Sequence, residues 1–219
     1  MRVGEGLYWT RADGYSQPQS LTVSKNILVP SSFTPDGKRL AYVEVAGNPQ
    51  IWTLPLEEQN GQLKAGKPEH FLKSAFTAAD PGFSPDGRWL AYTSNESGKA
   101  EIYVRAFPQP ASGAGGKWQV SNSGGTSPVW SRGGHELMYQ SGDQILAVSY
   151  AVQGSTFVAD KPRVWIAKLG GTMWDLAPDG KRVAVVRPVD AGTNPQQDHD
   201  VTILQNFYDE LRRRVPLGK

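Results

Sequence analysis

The chain has 219 residues, 38% of them hydrophobic, and 23 Lys and Arg stand against 21 Asp and Glu. A net charge of +2 leaves no basic footprint for nucleic acid. The absence of cysteine excludes disulfides, thiol catalysis and Cys-ligated zinc.

Gly 24 and Pro 16 suit many short strands joined by tight turns, and seven Trp and eight Tyr suit strand faces that bury much area from few residues. A mean hydropathy of −0.46 leaves much of the chain solvated. No window approaches 18 apolar residues, and Met1-Arg2-Val3-Gly4-Glu5-Gly6 lacks an apolar run, so neither a membrane span nor a signal peptide is expected within this chain. Cysteine absence fits a reducing compartment or an exported protein equally, so composition leaves the location open.

In chain order, strands are expected at 6–12 and at Gln19 to Val23, around an Asp13-Gly14 turn. A repeat then begins. Phe33-Thr34-Pro35-Asp36-Gly37-Lys38-Arg39-Leu40-Ala41-Tyr42 recurs as Phe83-Ser84-Pro85-Asp86-Gly87-Arg88-Trp89-Leu90-Ala91-Tyr92. It recurs again as Leu176-Ala177-Pro178-Asp179-Gly180-Lys181-Arg182-Val183-Ala184-Val185, with a degenerate copy at Trp130-Ser131-Arg132-Gly133-Gly134-His135-Glu136-Leu137-Met138-Tyr139. The anchors 33, 83, 130 and 176 lie 50, 47 and 46 residues apart, the period of a repeat architecture. Proline presets φ for a type I turn, Asp follows, and Gly takes the positive-φ position, so each copy is the bend of a β-hairpin.

The first full unit is expected to hold strands at 28–34, 39–45, 50–56 and 70–74, with a long polar loop at 57–69. The second holds 79–84, 89–95, 101–107 and 117–122, and the third 127–131, 136–141, 144–150 and 163–168. The last holds 172–177, 182–188 and 200–206, then a short helix over Phe207 to Arg214, where Phe207 and Leu211 share a face and Asp209 can pair with Arg213. Third strands align as Gln50-Ile51-Trp52-Thr53, Glu101-Ile102-Tyr103-Val104 and Gln144-Ile145-Leu146-Ala147, and Gly6-Leu7-Tyr8-Trp9 fits the same slot.

Four short antiparallel strands per unit define an all-β fold, a β-propeller of four-stranded blades. Blades are expected at 25–74, 75–122, 123–168 and 169–219, with 1–24 the tail of an incomplete blade. A ring of four would leave a strand over, so this is expected to be an incomplete ring whose missing portion lies on the N-terminal side.

The repeated motif, with the Ile-Tyr-Val strand behind it, resembles the WD-like propeller repeat of bacterial TolB-type proteins over nearly the whole chain. The run Lys117 to Tyr139 (KWQVSNSGGTSPVWSRGGHELMY) and the ending Val201 to Arg213 resemble a narrower group, propellers fused behind bacterial serine/threonine protein kinase domains or transcriptional-regulator modules. That resemblance implies a genuine C-terminal end. Two departures stand out: the third turn reads Arg-Gly-Gly, which can still bend, and these 219 residues hold no kinase module, so kinase chemistry is not expected within them.

Candidate chemistry is sparse. Gly125-Thr126-Ser127-Pro128-Val129 lacks the second glycine of a hydrolase elbow, and the Gly-rich loop, H-R-D and D-F-G of kinases are absent. Ser112-Gly113-Ala114-Gly115-Gly116-Lys117 superficially suggests a phosphate cradle, but Ala111 and Trp118 stand where a P-loop needs Gly and Ser or Thr. A loop between outer strands is the better reading. His70, His135 and His199 are scattered, and Asp198-His199-Asp200 falls short of a hard-cation site. Asp36, Asp86 and Asp179 supply one carboxylate per turn, which suits bending rather than calcium. Arg212-Arg213-Arg214 reads as a solvated helical face, and Asn95-Glu96-Ser97 as a chance sequon. Trp130 and Trp174 fall on or near innermost strands and Trp9 and Trp52 on third strands; most are expected as packing between blades, with one or two as a ligand platform at the channel mouth.

The expected function is therefore a non-catalytic interaction or sensing module with no cofactor, no metal and no assigned catalytic or binding residue. It would meet a protein or peptide partner, or a small ligand, at a propeller face. The resemblance implies the C-terminal part of a kinase-type signalling protein, extracytoplasmic if the parent is membrane-anchored or TolB-like. The alternatives are a TolB-like periplasmic scaffold and the propeller gate of a prolyl-oligopeptidase-like hydrolase.

Overall fold

A computed structural model describes residues 5–12, 17–109, 115–133 and 135–187, all within one packed unit, and every element among them is a β-strand. The Asp13-Gly14 turn, Ser112 to Ala114, the 200–206 strand, the Phe207–Arg214 helix and the Asp198-His199-Asp200 cluster lie outside the described residues.

Strands β1 (Glu5–Trp9) and β2 (Gln19–Ser24) form an antiparallel pair. The first large sheet follows: β3 (Ile27–Phe33), β4 (Arg39–Ala46), β5 (Asn48–Gln59), β6 (Gln62–Ala65) and β7 (Glu69–His70). The second is β8 (Ala78–Phe83), β9 (Trp89–Ser94), β10 (Glu101–Ala106) and β11 (Lys117–Gln119), in simple meander order. The third is β12 (Thr126–Trp130), β13 (Glu136–Ser141), β14 (Gln144–Gln153), β15 (Thr156–Ala159) and β16 (Arg163–Ile166). A last pair, β17 (Met173–Leu176) and β18 (Val183–Val186), is antiparallel.

The four motif turns close as the chemistry predicts. Gly37, Gly87 and Gly180 take φ of 69°, 69° and 67°. The Asp36 carboxylate accepts from the Thr34 hydroxyl at 2.6 Å and the Lys38 N–H at 3.1 Å, and Asp86 repeats this with Ser84 at 2.5 Å and Arg88 at 3.1 Å. Asp179 accepts from the Lys181 N–H at 3.0 Å and from Arg182 at 2.8 Å. In the degenerate copy the Ser131 N–H still reaches the Glu136 carbonyl at 3.0 Å.

One expectation is overturned. The polar stretch 57–69 is not a loop: β5 runs on to Gln59, bends at Asn60 (φ 53°) and Gly61 (φ 73°), and returns as β6. Positive φ at both central residues is the type I′ hairpin, which Asn-Gly favours. The third sheet does the same, with β14 extended to Gln153 and β15 folded back on it. Each of these long third strands thus serves two partners in tandem, its outer half pairing with the extra hairpin strand and its inner half with β7 or β16. The outermost strands are correspondingly short, Glu69–His70 where 70–74 was expected and Lys117–Gln119 where 117–122 was expected.

The sheets stack face to face because successive side chains of a strand point to opposite faces. All six residues of β9 are buried: Leu90 and Tyr92 join Ala41, Val43, Ile51 and Phe71 of the sheet before, while Trp89 and Ala91 join Trp130, Leu137, Tyr139 and Phe157 of the sheet after. Leu7 of β1 packs with Leu28, Leu40 and Leu54, and Met138 and Ile145 meet Trp174 and Leu176. Successive antiparallel sheets sharing cores on both faces are propeller blades, here an incomplete ring.

The joints between sheets are held by one recurring device. The start of each third strand grips the loop leaving its own sheet. The Asn48 amide donates to the Ala75 carbonyl at 3.0 Å, Glu101 accepts from the Gly124 N–H at 3.0 Å, and Asp143 accepts from the Gly170 N–H at 2.6 Å. Glu101 is wholly buried, and the Ser121 hydroxyl donates to its other oxygen while accepting from the Ile102 N–H at 2.7 Å.

Candidate channel-face site

The first strands β3, β8, β12 and β17 line an open cleft of about 810 Å³, within the range of small-ligand sites. The residues one place before each repeat anchor meet there: Ser32, Gly82, Val129 and Asp175. Chemically unlike, they are brought together only because equivalent strands stack.

Two hydrogen bonds join neighbouring walls. The Phe83 N–H donates to the Ser32 hydroxyl at 3.1 Å, and the Trp130 indole N–H donates to the Gly82 carbonyl at 2.8 Å. A Cβ at Gly82 would stand 3.7 Å from Trp130 Cδ1, in ordinary van der Waals contact with the indole. The rim is made by the second residue of each turn: Pro35, Pro85 and Pro178, and in the degenerate copy Arg132. Arg132 is exposed and has no hydrogen-bond or ion-pair partner among the described residues.

Each of the three large first strands carries a bulge, between Pro30 and Ser32, Ala79 and Gly82, and Thr126 and Val129. At two of them a non-glycine residue sits at positive φ, Asp80 at 52° and Ser127 at 53°. Such strain persists only where the surroundings enforce it. Here the Asp80 carboxylate accepts from the Thr93 hydroxyl at 2.9 Å and the Ser127 N–H at 3.3 Å, tying two first strands together.

The residues weighed from sequence fall apart in space or into local roles. His70 stacks on Trp52 with ring centroids 3.5 Å apart, and burial lowers its pKa. His135 meets Tyr150 edge-on at 5.7 Å. Lys117 pairs with Glu96 at 2.6 Å, so the apparent phosphate cradle spends its lysine on an ion pair. Asn95 accepts from the Thr77 N–H at 2.9 Å. The Thr34 hydroxyl, followed by the Lys38 N–H, holds Asp36 below the usual carboxylate range; for Asp179 the Lys181 N–H does so, with Arg182 adding to it. Among the described residues no three His, Cys, Asp or Glu side chains form a metal-ligand group, and no helix is long and apolar enough to cross a membrane. Trp130 is buried packing and cleft wall at once, whereas Trp174 is half-buried against Met138 and Ile145. Sequence reasoning missed Ser32, Asp175 and Arg132. The departure of the third turn from Pro-Asp-Gly was the available signal for the last.

No curated protein matches the chain. Among solved structures, a protein described as a 6-phosphogluconolactonase from Bacteroides uniformis superposes with a TM-score of 0.54 at 14% identity, over 84% of this chain and 57% of its own. A protein described as TolB from Agrobacterium tumefaciens gives 0.49 at 18% identity, over 70% of this chain and 55% of its own. TolB from Acinetobacter baumannii gives 0.32 at 18% identity, over 69% and 47%. The chain thus spans about half the length of these structures, and the Bacteroides uniformis likeness is one of fold. The family model of the TolB beta propeller domain (PD40) matches residues 5–193. With the repeat turns, the stacked antiparallel sheets and that match in agreement, the chain belongs to the TolB β-propeller domain family.

Proposed function

We propose that this chain is a non-catalytic propeller module that presents the cleft of its first strands to a protein or peptide segment. The observation that carries this reading is the cleft itself. It is open, about 810 Å³, and walled by hydrogen-bonded strands with a few polar groups (Ser31, Ser32, Arg132, Asp175) beside the apolar faces of Phe33, Val129 and Trp130. A rigid scaffold that positions loops and strand ends suits recognition. Ser127 has strained backbone, but no histidine takes part in a hydrogen bond with it among the described residues, which supports recognition over nucleophilic chemistry.

The parent, on this reading, is a bacterial serine/threonine-kinase-type signalling protein with the propeller on the extracytoplasmic side. The support is the resemblance of Lys117 to Tyr139 and of Val201 to Arg213 to propellers of that kind. The family membership also supports a TolB-like scaffold as a second reading.

Two experiments test the proposal. Peptides selected from a displayed random library against the chain should lose binding when Ser32→Trp or Asp175→Lys fills or recharges the cleft. Binders indifferent to both substitutions would sink the cleft reading. Sequencing the DNA upstream of the Met1 codon separates the two parents: an in-frame kinase module supports the first, and a signal sequence directly before the propeller supports the scaffold.

A further inference from the structure

Beside the cleft, on the other side of Arg132, lies a second recess of about 590 Å³. Its walls are the turn Pro85, Asp86 and Arg88 of one sheet, and Arg132, Gly133 and His135 of the next. Its floor is the strand segment Tyr150, Ala151 and Val152. We propose that this recess binds a small ligand bearing an oxyanion, a phosphate or carboxylate group met by Arg132, Arg88 and His135, with its apolar body against Tyr150 and Val152.

The donors here outnumber their partners. Arg132 is exposed and unpaired among the described residues. Arg88 commits one nitrogen to the Gly154 carbonyl at 3.2 Å. Its other guanidinium N–H groups make no hydrogen bond to any described residue, and the group lies 6.0 Å over the Trp89 ring. His135 makes an edge contact to the Tyr150 ring but no side-chain hydrogen bond to a described residue. The nearby acid is Asp86, and one of its oxygens already accepts from the Ser84 hydroxyl at 2.5 Å and the Arg88 N–H at 3.1 Å. Burial, with Asp86 adding to it, raises the Tyr150 pKa, so its hydroxyl remains a donor. Two guanidinium forks around a recess of ligand size suit planar or tetrahedral oxyanions.

The repeat supplies an independent argument. Three copies place proline at this turn position and Asp immediately after it, whereas the fourth has Arg132 and Gly133. The turn closes without them through the Ser131 N–H and the Glu136 carbonyl. The bend therefore needs neither an arginine nor the loss of its acid, yet the exchange makes a neutral position positive and a negative one neutral where the recess opens. Tyr150 is also held firmly, stacked on Phe157 at 5.0 Å and edge-on to Trp130 at 5.1 Å, so the floor is preformed.

The inference does not rest on the channel cleft being used. The test is calorimetric titration of the whole chain with phenyl phosphate and, separately, benzoate, at physiological salt. At least one should bind saturably with a dissociation constant of about 1 mM or tighter, and which one distinguishes phosphate from carboxylate. Arg132→Pro, the residue the other turns carry, should weaken binding by about tenfold or more. Arg132→Gln provides the same loss should proline disturb the turn. Lys64→Gln on the β5–β6 hairpin, outside the recess lining, should leave binding unchanged. No saturable binding of either probe, or full binding by a folded Arg132 variant, overturns the proposal.

Discussion

The Trp130 indole N–H donates to the Gly82 carbonyl at 2.8 Å, so one innermost strand hangs on the next by a side chain rather than a ladder. The same ring packs edge-on against Tyr150 at 5.1 Å and Phe157 at 6.0 Å. A single residue thus reaches the preceding sheet by a polar bond while its ring is wedged against its own sheet.

Trp130→Phe keeps most of the wedge and removes the bond, which leaves the Gly82 carbonyl without that donor. The expected loss is about 1–2 kcal/mol. Trp130→Ala removes both, with an expected loss of about 3–5 kcal/mol. Urea unfolding followed by circular dichroism separates the two: no loss in Trp130→Phe would mean the bond contributes nothing, and equal losses would mean the wedge does not.

Glu101 is the most deeply committed acid described, wholly buried and shared between the Ser121 hydroxyl and the Gly124 N–H, with Lys99 at 3.3 Å. Glu101→Ala leaves buried donors without an acceptor, at an expected cost of about 3 kcal/mol. Glu101→Gln retains an acceptor and should lose less. Amide exchange at Ser121 to Gly125 should rise in the alanine variant ahead of exchange in β9.

Gly125 sits under that loop, where a Cβ would stand 2.8 Å from both Ile102 Cγ1 and Ser121 Oγ. Gly125→Ala should cost about 1–3 kcal/mol by overpacking. Gly133→Ala, which meets open space, should lie within about 0.5 kcal/mol of the parent. Thermal melts of the two variants check the contrast.

Burial pushes Tyr42, Tyr92 and Tyr139 up to about 12 from 10.0. A raised folded value stabilises fully below the unfolded value, and that stability drains as pH climbs from 10 to 12. The carboxylates run the other way. Asp36 and Asp179 are held below 3.8, so their contribution is present above it and fades as pH drops through the folded values. Both carboxylates lie at the exposed surface, so the acid arm should be shallow and the alkaline arm steep. Midpoints of thermal unfolding across pH 3 to 12 test this.

Turn chemistry was the most legible part of this molecule, because Pro-Asp-Gly has one backbone meaning wherever it falls. The β5–β6 hairpin was less so, although Asn60-Gly61 announces it. Glu57 to Gly61 are exposed and alternation is lost where nothing packs on either face, so composition spoke for a loop while two residues spoke for a bend. Of the cleft, Trp130 was placed on an innermost strand from sequence, but Ser32, Gly82, Val129 and Asp175 share no chemistry to flag them. Only the stacking of strands fifty residues apart in sequence brings them together. The grip of Asn48, Glu101 and Asp143 on their exit loops was equally hidden, since it uses three residue types at shifted register.

That grip has a further consequence. The joints at Ala75, Gly124 and Gly170 are each gripped from the sheet they leave, so a unit copied in tandem would arrive with that side of its hinge already latched. Growth of such an array by duplication then carries one half of each joint along with the unit that is copied.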